Sequence, residues 1–319
     1  MAGASGTEVQ RFEGKTFDSA LRQAAQSGVL KSVCLEKQIA FMARSLPARH
    51  ADPPEDPTPN SLTDNPPPEA FFPRMTAAIS ALLHETQRER GTSSLYLSSR
   101  GRLFAHELHD QWRLTDARRT DLMLFRRQHT PDFPAELVRK LERAEDMLGE
   151  LCAGRAEIES LQLVPAQVIH RYSNANGQLL SVIDGLAQRS VNTALRPTAL
   201  AWMALLHAKE KTGLERAELA TAFSRDHYAE GQHATVSALI AASDSYLHVF
   251  STAAPRSASE LLRKQLHSEA ANAVTEMEKV ALLKREGGFG IDPTAWFANM
   301  SRKMDLLTDV ECAVRQILT

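Results

Sequence analysis

The sequence predicts an all-α protein: two packed four-helix bundles with an N-terminal helical arm. Three observations carry this. Apolar residues recur at helical spacing through most of the chain, while the alternation expected of strands is hard to find. Prolines mark the first turns of several of these segments. The 319 residues are 43% hydrophobic and 24% charged, which suits a globular chain with a substantial core.

Taken in order, the arm covers residues 1–46. Phe17, Ala20, Leu21, Ala24 and Ala25 share one helical face, and Val33, Ile39, Phe41 and Met42 follow. Such a face is expected to pack on the body, a second copy or a partner. Residues 47–68 hold eight of the fifteen prolines and read as an extended linker. The body, 69–319, divides into helices over about 70–98, 102–128, 134–160, 165–189, 197–224, 227–252, 256–286 and 293–318. Pro134, Pro165, Pro197 and Pro293 stand at the starts of four of them, the last behind Asp292 as N-cap. The Gly287-Gly288-Phe289-Gly290 run follows a helix and lacks a Lys-Ser/Thr ending, so it reads as a turn rather than a phosphate loop.

Composition excludes several function classes. The 37 basic and 39 acidic residues give a net charge of −2, so no nucleic-acid surface is advertised. Cys34, Cys152 and Cys312 are widely spaced, which argues against both a zinc site and a disulfide framework. No apolar run reaches membrane-spanning length, and Met1–Gln10 lacks the pattern of a secretory signal. A cytoplasmic protein without cofactor or metal is expected. Signatures of serine hydrolases, zinc proteases and P-loop enzymes are missing, so no enzymatic activity is expected. His106 and His109 lie one turn apart but lack a third ligand at defined spacing.

The informative signal is a misplaced charge. With Ile79 at 0°, Leu83 falls at about 40°, Thr86 at about −20°, Ser93 at about −40° and Leu97 at about 0°. Arg90 falls at about 20°, in the centre of this stripe, and Arg88 on the opposite side. On the helix from Pro197, His207, Lys211, Glu215 and Glu218 group as an expected solvent face. Arg216 lies opposite, beside Leu205, Thr212, Leu219 and Phe223, with Lys209 nearby. A guanidinium keeps its charge, so burial demands a carboxylate, many acceptors or a bound anion. Either internal ion pairs or an oxyanion site would answer. The helix from Pro165 adds Tyr172 on its apolar face and Asn176 on its shoulder; either would line a polar pocket or be satisfied within the core.

At these residues the chain resembles the nitrate- and nitrite-sensing family. Leu83-His84-Glu85-Thr86-Gln87-Arg88-Glu89-Arg90-Gly91-Thr92-Ser93 is similar to its opening motif, and Leu114-Thr115-Asp116 to the segment that follows. Ala208-Lys209-Glu210-Lys211-Thr212-Gly213-Leu214-Glu215-Arg216-Ala217 resembles its second signature. Asp292 to Phe297, Met304 to Leu307 and Val310-Glu311 resemble its C-terminal helix. The resemblance implies two four-helix bundles that bind nitrate or nitrite between helices through arginines. Arg90 and Arg216 match the family's arginines, and Arg88 matches a further position. Thr86, Ser93 and Tyr172 are candidates for the ligand's shell, and Arg263 or Arg285 for additional cations. The family commonly carries an output module beside this unit. None follows the last helix before Thr319, so a stand-alone sensor is expected, signalling by helix repacking to a separate regulatory protein or within a homodimer. The alternative is a ligand-free helical scaffold or protein-interaction module with both arginines paired to internal carboxylates.

Overall fold

The computed structural model describes residues 68–129, 134–190 and 193–318. The arm and the linker up to residue 67 lie outside the described residues. Ten helices form the described structure: α1 (Pro68–Ser98), α2 (Ala105–His129), α3 (Ala135–Ala153), the single turn α4 (Arg155–Glu159), α5 (Pro165–Ser190), α6 (Arg196–Arg225), α7 (Gln232–Ala253), α8 (Arg256–Leu266), α9 (Glu269–Leu283) and α10 (Pro293–Leu318). No strand occurs among the described residues.

Most helices lie where periodicity and proline place them. The segment expected over 134–160 is divided at Gly154, which separates α3 from α4. The segment expected over 256–286 breaks at His267 and Ser268, where the Ser268 hydroxyl caps α9 by accepting from the Ala271 N–H. The glycine turn performs a packing task. Gly287 has φ of 100°, and a Cβ there would stand 2.4 Å from the Asp226 carbonyl. The turn closes on the end of α6, where Gly288 N–H donates to that same carbonyl.

Two bundles result. Helices α1, α2, α3 and α5 form one, with α2 and α5 on α1 and α3 on α5. The other is built on α6 and α10, with α7 beside α6 and with α8 and α9 against α10. Contacts of α1 with α6 and α10, and of α5 with α6, join the halves. The seam makes α6 the central helix, with 23 of its 30 residues buried. Its expected solvent face is therefore corrected: His207 and Glu215 are buried, and Lys211 and Glu218 are half-buried. His207 stacks on Tyr246 and meets Asp184, so its ring is held by α5 and α7 rather than by water.

Apolar packing occupies both ends of the seam but not its middle. Phe72, Met75, Ile79 and Leu82 of α1 pack in one cluster with Leu200 to Leu206 of α6. Leu95 packs in a second cluster with Leu219, Phe223, Trp296 and Met300. Between them both helices carry buried polar residues, among them Thr86, Gln87, Glu89, Arg90 and Ser93 on α1, and Lys209, Glu210, Thr212 and Arg216 on α6.

Candidate functional site: a buried arginine pair at the bundle seam

Arg90 and Arg216 are both fully buried, as the helical wheels require. They approach across the α1–α6 contact, each near a glycine of the opposite helix. A Cβ on Gly91 would lie 3.2 Å from Arg216 Nε and 2.8 Å from Phe297 Cε2. One on Gly213 would lie 3.1 Å from Arg90 Nη2 and 3.1 Å from Met304 Cε. Each glycine thus admits the guanidinium of the opposite helix.

The two cations are satisfied unequally. Arg90 Nη1 donates to Glu210 Oε1 at 2.5 Å and to Ser173 Oγ at 2.9 Å. Its Nε and Nη2, the donors along the other edge of the fork, have no hydrogen-bond partner among the described residues. Arg216 donates from Nη2 to the Gln87 carbonyl at 2.7 Å and from Nη1 to Ser301 Oγ at 2.9 Å. Its guanidinium lies over the Phe297 ring, 4.8 Å from the centroid, and its Nε is unpartnered. No carboxylate hydrogen-bonds Arg216 among the described residues. Burial first, then Arg88 and Arg90, push its pKa down to about 9. His84, one and a half turns before Arg90, is pushed to about 3 by burial and by Lys209, Arg88 and Arg216. The middle of the seam is a field of positive charge.

Glu210 answers part of that charge. Its Oε2 accepts from Gln87 Nε2 at 2.8 Å and from Asn176 Nδ2 at 3.1 Å. The two guanidinia and this one carboxylate leave a single net positive charge. Three ion pairs lie around them. Arg88 grips Asp305 through both carboxylate oxygens, at 2.7 and 2.9 Å, and its side chain is 32% exposed. Lys209 pairs with Glu311 at 2.6 Å, and Trp202 Nε1 also donates to Glu311. Glu89 takes the Tyr172 hydroxyl at 2.5 Å and both Nε and Nη2 of Arg155, which also holds Asp116.

The remaining candidates occupy distinct places. Ser93 is buried and its hydroxyl is unpartnered among the described residues. The Thr86 hydroxyl bonds Asn176 Oδ1 at 2.7 Å and thereby adjoins the Glu210 cluster. Tyr172 belongs to the Glu89–Arg155 cluster on the neighbouring turn of α1. Arg263 and Arg285 are exposed, whereas the pair is fully buried. Charge placement alone missed Glu210, Gln87, Ser301 and Phe297. Gln87 and Glu210 stand inside the two arginine motifs, and that position was the signal available. Phe297 and Ser301 also line a cleft of about 360 Å³ together with Arg88, Thr92 and Phe104. The same two side chains thus touch Arg216 on one side and bound an open cleft on the other.

Fold and site define a class: an all-α double bundle with an undercompensated arginine pair enclosed where its halves meet. The sequence profile of the family described as nitrate and nitrite sensing matches residues 81–319, and the chain belongs to that family. It is 23% identical over 238 residues to the nitrate regulatory protein of Klebsiella oxytoca, an alignment covering 74% of this chain. The chain spans 60% of that relative's length. A solved structure of the NasR transcription antiterminator superposes with a TM-score of 0.72 at 22% identity, over 78% of this chain and 68% of that one. At that identity the likeness shows the fold. No helix among the described residues is long and apolar enough to cross a membrane.

Proposed function

We propose that the seam is an oxyanion site and that the protein is a nitrate or nitrite sensor rather than an enzyme. One observation carries the reading: of two fully buried guanidinia only Arg90 is bonded to a carboxylate, and three guanidinium donors have no partner among the described residues. A univalent planar anion supplies the missing charge and the missing acceptors together. The free edge of Arg90 and the Nε–H of Arg216 hold it, with the Ser93 hydroxyl as a further donor. Thr86, Tyr172 and Arg88 support the site through Asn176, Glu89 and Asp305. The scaffold alternative requires a carboxylate on each arginine, and among the described residues only Arg90 has one.

The family membership and the relative's name, nitrate regulatory protein, point to the same ligand. Anion binding neutralises cations that repel across the α1–α6 contact. The packing of the two bundles then depends on occupancy. That change is read by a separate regulatory protein or across a homodimer, in the cytoplasm and without direct contact to nucleic acid.

Thermal unfolding in matched sodium salts tests this. Nitrate or nitrite at a hundred times its Kd stabilises the native protein by roughly 2.7 kcal/mol, and chloride and sulfate do not. Arg90→Ala and Arg216→Ala remove the response while keeping the helical circular dichroism signal. Equal responses of native protein and variants to all four salts would refute the site.

A further inference from the structure

We infer that Glu210 sets the valence of the anion. By holding one of the two buried guanidinium charges, it leaves the site a single positive charge and restricts it to monovalent ligands. The inference rests on the anion-binding reading above and deepens it.

Glu210 is built in rather than placed by chance. Donors from three side chains converge on its carboxylate: Arg90 and Gln87 from α1, and Asn176 from α5. Asn176 is itself held by the Thr86 hydroxyl. Displacing the carboxylate would leave the buried Gln87 and Asn176 amides without this acceptor and Arg90 Nη1 with Ser173 Oγ, so an incoming anion does not exchange with it. The carboxylate also occupies only one edge of the Arg90 fork, through Nη1, and leaves Nε and Nη2 to act together on a second planar acceptor.

The remaining charge decides what can bind. Three charged side chains beside the pair have charged partners: Arg88 with Asp305, Lys209 with Glu311, and Glu89 with Arg155. Within the cluster of Arg90, Arg216 and Glu210 the charges sum to a single positive one. A monoanion closes this balance. A dianion of the same shape would bury one uncompensated negative charge, the arrangement that low-dielectric interiors penalise most. Shape does not make this distinction, because perchlorate and sulfate are both tetrahedral and differ in charge.

Competition against nitrate, followed by titration calorimetry at fixed ionic strength, tests the assignment in the native protein and two variants. In native protein, perchlorate displaces nitrate at concentrations where sulfate does not. Glu210→Gln shifts the preference toward sulfate by at least about tenfold, because a net double positive charge now faces the ligand. The exchange variant Q87E/E210Q keeps a Glu–Gln pair at the same contact, restores the single charge and returns the native order. A folded Glu210→Gln protein with native discrimination would overturn the inference. So would native protein that takes sulfate as readily as perchlorate, a result that needs no variant. Native protein that binds neither nitrate nor nitrite would instead bring down the anion-site reading, and this inference with it.

Discussion

Lys209 and Arg216 stand seven residues apart on one helix, both buried and both facing α10, yet their surroundings differ. Lys209 is fully answered: Glu311 takes its proton-bearing nitrogen at 2.6 Å, and the same carboxylate accepts from Trp202. Burial would raise the Glu311 pKa, but the Lys209 charge and the converging donors hold it below the usual carboxylate range. Arg216 has a carbonyl, a serine hydroxyl and the Phe297 ring but no carboxylate hydrogen bond among the described residues, and its pKa is pushed down. A buried cation with a dedicated carboxylate holds helices together. One whose surroundings oppose its charge is, on the proposed reading, kept for a ligand. The contrast between the two positions separates structure from site more sharply than burial does.

The largest expected effect breaks the compensated end. Glu311→Ala leaves Lys209 buried and unpaired and deprives Trp202 Nε1 of its acceptor. A loss of about 3–5 kcal/mol is expected in chemical denaturation. If the loss stays under about 1 kcal/mol, Lys209 and Glu311 are not the matched pair the comparison assumes.

An intermediate effect tests the close approach at the other end. In Gly91→Ala the new methyl meets the Phe297 ring and the Arg216 guanidinium. Overpacking of this kind costs roughly 1–3 kcal/mol and displaces a site group. Stability falls and the nitrate response weakens together. Gly177→Ala is the control, because a Cβ there meets nothing within 4 Å on α5. It should stabilise the fold by about 0.5–1 kcal/mol, the usual gain for alanine over glycine in a helix, and leave the anion response unchanged. Parallel behaviour of the two variants would mean that Gly91 is not a contact between helix and site.

The difference between Arg216 and Lys209 also shows where sequence reasoning reaches. The all-α class, the two bundles and most helix positions were legible, because helical periodicity and proline-marked starts are local signals. Arg90 and Arg216 were legible for the same reason: each wheel has a single apolar stripe, and each arginine stands on it. The wheel failed for His207 and Glu215, because neighbouring helices pack over most of α6 and bury both side chains. Glu210 was missed for a different reason. Its role depends on α1 and α5 meeting α6 at one level, a relation between segments 34 and 120 residues apart that no single wheel contains.

The smallest stability effect is the most discriminating one. Arg216→Met removes the guanidinium and fills much of its volume. Had Arg216 been a structural cation like Lys209, this change would strand a buried carboxylate, and the fold would suffer as in Glu311→Ala. No carboxylate hydrogen-bonds Arg216 among the described residues, so none is stranded. The variant loses the bonds to the Gln87 carbonyl and Ser301, about 0.5–1.5 kcal/mol each. Against that, it is relieved of an opposed buried charge. The two contributions are of similar size and opposite sign, so the ligand-free protein should unfold within about 1 kcal/mol of the native one. Its nitrate-dependent stabilisation should vanish. A fold nearly indifferent to the loss of a fully buried arginine, with ligand response abolished, separates a residue kept for binding from one kept for packing.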